Sequence, residues 1–306
     1  MRSQTLRLLA LSLLLPLTAA ANAQEWAKAR LEASPRHHEY VPIKHGDRTV
    51  QTFVVYPEVK GKTPVVILIH EIFGLSDWAK EMADELAAAG YIVVAPDLLS
   101  GFGPNGGGSD TFSSMDATTK AVSGLNADTV NADLDAVADY AKKIPAGNGK
   151  IASAGFCWGG GKSFAFAVHR KDLSAAFVFY GPGPAEVSTI VAPVYGFYAG
   201  NDARIGATLP ATTEAMKAAG KKFDPVTYDG AGHGFMRAGE DPSNTNPANK
   251  TARDESFSRL TKLLGQLSAP AHSAVPANSS KVAKKSAASA KPDASCHGSD
   301  AMAAIM

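Results

Sequence analysis

The chain has 306 residues, with 30 Lys and Arg against 29 Asp and Glu and a net charge of +1. That length supports a sizeable hydrophobic core, and so even a charge balance gives no reason to expect nucleic acid or an anionic membrane as partner. Two cysteines, Cys157 and Cys296, exclude a disulfide scaffold.

Residues 1–23 read as a targeting segment. Arg2 and Arg7 form a basic start, Leu8 to Leu17 an apolar stretch, and Ala21-Asn22-Ala23 a small-residue cleavage site. The apolar stretch is too short to span a bilayer, and no cysteine follows the cleavage site to carry a lipid. The expectation is cleavage before Gln24 and export of a mature protein, without a membrane anchor, to a periplasm or beyond.

His38 to Ile43 and Val50 to Tyr56 alternate as two antiparallel strands. Val65 to Ile69 is a continuous apolar run, expected of a strand covered on both faces, and it leads into His70-Glu71-Ile72-Phe73-Gly74-Leu75. Trp78 to Ala89 reads as an amphipathic helix stopped by Gly90. Tyr91 to Ala95 is the next buried strand, closed by Pro96-Asp97. The glycine-rich Ser100 to Gly108 reads as a flexible loop of the kind that carries or covers sites. Ala127 to Lys143 is a second helix.

Lys150 to Ala154 reads as a strand, Gly161 to Arg170 as a helix, and Gly155-Phe156-Cys157-Trp158-Gly159-Gly160 as the sharp turn between them. Strand, turn and helix with Gly-x-Cys-x-Gly at the turn is the context of a nucleophile elbow. Crowded backbone there admits only glycine two residues before and two after the exposed side chain. The helix N-terminus directs free N–H groups at the cysteine and is expected to favour its thiolate. The bland alternative is an inert core cysteine. A phosphate-binding loop ending in Gly161-Lys162-Ser163 is the other competitor. It needs glycine where Phe156 stands.

Ala175 to Tyr180 and Val194 to Tyr198 are further strands, the second leading into Gly200-Asn201-Asp202. Leu209 to Ala219 is a helix, and Phe223 to Tyr228 a strand followed by Gly232-His233-Gly234-Phe235. Lys250 to Leu267 is a closing helix. Strands alternating with helices predict a mostly parallel central sheet with helices on both faces. One domain is expected over residues 24–268. Residues 269–306, rich in Ala, Ser, Lys and Pro, read as a disordered tail.

In such a sheet, functional residues gather beyond the carboxyl ends of the strands. Glu71, Cys157, Asp202 and His233 each follow a strand. Nucleophile, acid and histidine run in the chain order of α/β-hydrolases. A histidine can take the thiol proton, and an aspartate fixes its tautomer. The backbone N–H groups of Trp158, after the nucleophile, and Ile72, after an earlier strand, are the expected oxyanion donors. His70-Glu71 begins like a zinc-protease motif, but its second histidine position is Gly74, so no metal is expected.

Over most of residues 38–267 the chain resembles the dienelactone hydrolase family of α/β-hydrolases. The residues that carry the likeness are His70 to Leu75, Ala95-Pro96-Asp97-Leu98, Gly155 to Gly160, Gly200-Asn201-Asp202 and Gly232 to Phe235. The resemblance implies a Cys157–His233–Asp202 triad without metal or organic cofactor. It implies that Glu71 contacts the thiol or its histidine and helps switch the nucleophile on when substrate arrives. It further implies that Arg237 binds a substrate carboxylate. The family's second substrate arginine has no counterpart in Leu99-Ser100-Gly101-Phe102. The expected activity is hydrolysis of a lactone or small carboxylic ester through a cysteine acyl-enzyme. A thioesterase or peptidase with the same triad, and a non-catalytic binding protein on the same fold, stay open.

Overall fold

A computed structural model describes residues 24–268. The expected leader and tail, and Cys296, lie outside the described residues. In chain order the elements are α1 (Glu25–Glu32), β1 (His38–His45), β2 (Arg48–Val55), β3 (Thr63–Ile69), α2 (Asp77–Ala88), β4 (Ile92–Pro96), α3 (Met115–Ser123) and α4 (Ala127–Ala141). Then follow β5 (Gly147–Phe156), α5 (Trp158–His169), β6 (Ala175–Phe179), β7 (Val194–Ala199), α6 (Ala203–Gly206), α7 (Leu209–Ala218), β8 (Phe223–Tyr228), α8 (Phe235–Glu240) and α9 (Pro247–Ser268).

The strands form one sheet in the order β1-β2-β4-β3-β5-β6-β7-β8. β1 with β2 and β2 with β4 are antiparallel; the remaining pairs are parallel. This is the mostly parallel sheet anticipated from the alternation of strands and helices, in the α/β-hydrolase arrangement that the resemblance implies. Every residue of β3 is buried, which is why it carries no polar alternation. Val66 and Leu68 face the core under α2 and α9. Val65, Ile67 and Ile69 face the core under α4 and α5.

Register places the functional ends of the strands together. Ile69 of β3 lies beside Gly155 of β5, Phe156 beside Phe179 of β6, and Ala199 of β7 beside Tyr228 of β8. Under this edge Phe156, Phe179 and Phe197 stack in series, with ring centroids 4.6 and 4.2 Å apart. These rings give the edge a stiff floor of buried aromatic area.

Four short helices, α1, α3, α6 and α8, escape the sequence reading. α1 has little amphipathic pattern and α8 has six residues, too few for a periodicity to emerge. The glycine-rich loop also departs from expectation. It holds two 3₁₀ turns, Pro104–Gly106 and Ser109–Thr111, and the second is tied back to Asp97. That carboxylate accepts from the Leu99 N–H at 3.0 Å, the Ser109 N–H at 2.7 Å and the Ser109 hydroxyl at 2.6 Å. A carboxylate holding three donors pins the loop to the end of β4. No residue of this loop lines the cavity at Cys157.

Candidate active site

The turn from β5 into α5 sets Cys157 at φ +56° and ψ −115°. For a residue with a Cβ this backbone costs on the order of 1–3 kcal/mol. The neighbours explain why only glycine surrounds it. A Cβ on Gly155 would lie 1.9 Å from the Gly159 carbonyl oxygen. One on Gly159 would lie 2.2 Å from the Ile69 oxygen and 2.4 Å from the His70 oxygen. The elbow therefore packs backbone to backbone against the end of β3.

His233 enters on the turn after β8. Its Nε2 lies 3.1 Å from Cys157 Sγ, and its Nδ1 lies 2.5 Å from Asp202 Oδ2. Asp202 is buried at the N-terminus of α6, where its other oxygen accepts from the Ile205 N–H at 3.2 Å. Two elements thus fix the carboxylate before it meets the imidazole. With the carboxylate on Nδ1, the proton belongs on Nδ1 and the Nε2 lone pair faces the thiol. The sequence-predicted Cys157, His233 and Asp202 form one hydrogen-bonded chain.

Glu71 stands elsewhere than the resemblance implies. It is almost fully buried and pairs with Arg237, whose Nε lies 3.0 Å from Oε2. The Tyr180 hydroxyl donates to Oε1 at 3.3 Å. No hydrogen bond joins Glu71 to the thiol or to His233 among the described residues. A carboxylate taken out of water needs a charged partner, and Arg237 on α8 supplies it. Burial lifts the Glu71 carboxyl above its usual range, while Arg237, His233 and Tyr180 pull it back. Arg237, expected to bind a substrate carboxylate, is thereby already engaged, and its guanidinium also lies over the Phe73 ring.

The thiol departs from expectation too. Burial pushes the Cys157 pKa up, and the Glu71 charge adds to the rise. Hydrogen-bonding N–H groups of Trp158 and Ile72, with the charge of Arg204, act the other way. The helix N-terminus does favour the thiolate, but desolvation outweighs it. Both expected oxyanion donors nevertheless face the sulfur.

Beside Cys157 opens a cavity of about 490 Å³. Ile72, Trp158, Ala165, Pro182, Pro184 and Ile205 give it apolar walls, and Lys162 and Arg204 are its two cations. No aspartate or glutamate lines it, and neither cation has an acidic partner among the described residues. Tyr180 closes the cavity floor. It is fully buried, carries φ +40°, and meets the His233 ring edge-on at 5.0 Å. Sequence reading missed Tyr180 because it looks like the last residue of an apolar strand. The following Gly181-Pro182 marks only a chain reversal.

Among the described residues, one group of carboxylates is close enough to share a cation: Glu81, Glu85 and Glu240. Arg253 already bridges it, with Nε 2.7 Å from Glu240 Oε1 and Nη2 on Glu85. The site around Cys157 has a thiol, an imidazole and two N–H donors, and can carry acyl transfer with those groups alone.

Comparison with known proteins places this geometry in context. A model of the dienelactone hydrolase family matches residues 50–268. A protein of Methylorubrum extorquens named "Putative carboxymethylenebutenolidase" is 32% identical over 209 residues, 64% of this chain and 71% of the relative. A protein of the same name from Saccharolobus solfataricus is 30% identical over 252 residues, 72% of this chain and 95% of the relative. A crystal structure titled "Putative Dienelactone Hydrolase" from Klebsiella pneumoniae superposes with a TM-score of 0.66 at 26% identity. That superposition covers 76% of this chain and 99% of the other.

Proposed function

This chain belongs to the dienelactone hydrolase family and is a hydrolase, and from that premise we propose that it opens a lactone or small carboxylic ester through a Cys157 acyl-enzyme. The observation that carries the reading is the 3.1 Å approach of His233 Nε2 to a sulfur that two backbone N–H groups also face.

In this reading a substrate carbonyl enters the cavity with its oxygen toward the Ile72 and Trp158 N–H groups. His233 takes the thiol proton as Sγ attacks, and Asp202 stabilises the imidazolium. The tetrahedral oxyanion is held by the two N–H groups until the C–O bond breaks. His233 then gives its proton to the leaving alkoxide. Water, deprotonated by the same imidazole, attacks the thioester and releases the acid.

The resting thiol is held protonated by burial and by Glu71. A substrate anion that draws Arg237 away would release Glu71 from its ion pair and leave that carboxylate free to help deprotonate the thiol. Arg204 and Lys162, without acidic partners at the cavity, favour a substrate that itself bears negative charge.

The test is a panel of dienelactone, p-nitrophenyl acetate and an aryl ester with and without a remote carboxylate, given to reduced protein beside Cys157→Ala. Hydrolysis by the parent is expected, with the variant falling at least about 10³-fold, in line with loss of a nucleophile. Comparable rates from the two proteins would remove Cys157 from the mechanism.

A further inference from the structure

His70 is fully buried, immediately after β3, and takes no part in the proton path from Asp202 to Cys157. Its Nδ1 lies 2.7 Å from the carbonyl oxygen of Glu71. A carbonyl oxygen only accepts, so the proton sits on Nδ1. Burial lowers the His70 pKa, and the ring is a neutral imidazole donating from that nitrogen. Its Nε2 has no partner among the described residues.

The Glu71 carbonyl and the Ile72 N–H are two ends of one peptide group. A trans peptide is planar, and its C=O and N–H point in opposite directions. Fixing the carbonyl therefore fixes the direction of the Ile72 N–H, and that N–H faces Cys157 Sγ. A hydrogen bond to the oxygen also polarises the peptide and strengthens its N–H as a donor. A face of the ring meets the side chain of the residue that carries the second donor: His70 stacks on the Trp158 indole, centroids 5.5 Å apart and planes 11° from parallel. One side chain thus touches the frame of both N–H groups.

We propose that His70 is a positioning residue for the oxyanion hole, aiming the Ile72 N–H by its hydrogen bond to Glu71 and bracing the Trp158 peptide by stacking. The proposal rests on the acyl-enzyme reading above. Its consequence is specific. His70 matters to reactions that build negative charge on a carbonyl oxygen and little to alkylation of a thiolate that has already formed. The Gly74 N–H also reaches the Glu71 oxygen, at 3.2 Å, so the peptide keeps one anchor when His70 is replaced. The loss is then misalignment rather than collapse of the loop.

The experiment compares His70→Asn, His70→Gln and His70→Leu in the full-length protein. Asparagine places an N–H where Nδ1 stands; glutamine carries its donor further out, near Nε2. Two rates are read for each: hydrolysis of p-nitrophenyl acetate, and the limiting high-pH rate of alkylation of Cys157 by iodoacetamide, a displacement at saturated carbon with no oxyanion, read where the thiol is fully ionised so that the effect of the N–H groups on its pKa drops out. Removing one oxyanion donor costs about 10²–10³ in kcat, and misaiming it is expected to cost about 10- to 100-fold. The expected result is that loss in His70→Leu and His70→Gln, alkylation within about threefold of the parent, and recovery of most of the hydrolysis in His70→Asn. Thermal unfolding identifies any variant that fails to fold, and the Asn–Gln pair decides the matter if leucine is not tolerated. Hydrolysis and alkylation falling together, or Asn and Gln behaving alike, overturns the proposal. A Cys157→Ala protein that still hydrolyses the ester overturns the acyl-enzyme reading instead.

Discussion

Cys157 sits between opposing influences on its proton. Desolvation and the Glu71 carboxylate hold the thiol protonated, and the Trp158 and Ile72 N–H groups and Arg204 favour the thiolate. The balance matters in an oxidising setting, because thiolate is the form that oxidants attack. Alkylation by iodoacetamide tracks thiolate, which rises with pH. The half-maximal pH of that reaction in the parent is expected above the ordinary thiol range of about 8.5. Glu71→Gln removes a negative neighbour and leaves Arg237 uncompensated. Both changes favour thiolate, so the midpoint moves down. A midpoint that stays in place or rises would show that Glu71 exerts no hold on the sulfur.

At the scale of elements, the short helix α8 depends on its neighbours. It carries Arg237 at the site and, one turn on, Glu240 in a charge cluster. Glu240 accepts from the Trp78 indole N–H at 3.0 Å and from Arg253 at 2.7 Å, joining α8 to α2 and α9. Trp78 in turn meets Phe156 edge-on at 5.3 Å, next to Cys157. Glu81 lies in the same cluster. Burial, then the charges of Glu240 and Glu85, pushes its pKa up to about 9. A carboxyl raised in the folded state stabilises least at high pH. Its contribution is full below its unfolded pKa, near 4.3, and is lost as pH climbs toward 9. Glu81→Gln has no such proton to lose. Its melting temperature is expected to exceed the parent's at pH 8 by several degrees, since about 1 kcal/mol moves Tm by about 2–4 °C in a domain of this size. The advantage should vanish near pH 4. An equal gain at both pH values would show that the residue's ionisation is not the cause.

For the whole molecule, the closing helix α9 completes the core of the described residues. Leu260 and Leu264 are fully buried against the sheet, and the Leu267 carbonyl accepts from the Asn148 side chain at 3.3 Å. A chain stopped after Ser268 is expected to keep its melting temperature within about 2 °C, and its hydrolysis with it. A chain stopped after Arg259 loses two core leucines worth about 2–5 kcal/mol each. Against a total stability of about 5–15 kcal/mol, it is expected not to fold. Circular dichroism of the two truncations checks both. A melting temperature lost on removing residues 269–306 would assign those residues a structural role.

The amino-acid sequence by itself determined the eight strands, the five longer helices and the turn at Cys157, and it singled out Cys157, Asp202 and His233, which the fold brings together. Each of these is a local matter. Buried strands are apolar runs, helices end at glycine, and the crowded turn at Cys157 tolerates only glycine at 155 and 159. Chain order then sufficed to collect three residues at one edge of the sheet, because crossover connections make β5, β6, β7 and β8 parallel and so bring their carboxyl ends to the same side. Only the tertiary structure decided the partners. Glu71 binds Arg237, 166 residues further along, and Tyr180 turns back to meet both Glu71 and His233. His70 and Trp158 stack across two loops. Protonation followed from the same source. Thiol, carboxyl and imidazole respond to the water excluded around them and to charges a few ångströms away. Those distances come from packing between elements, which no local pattern records.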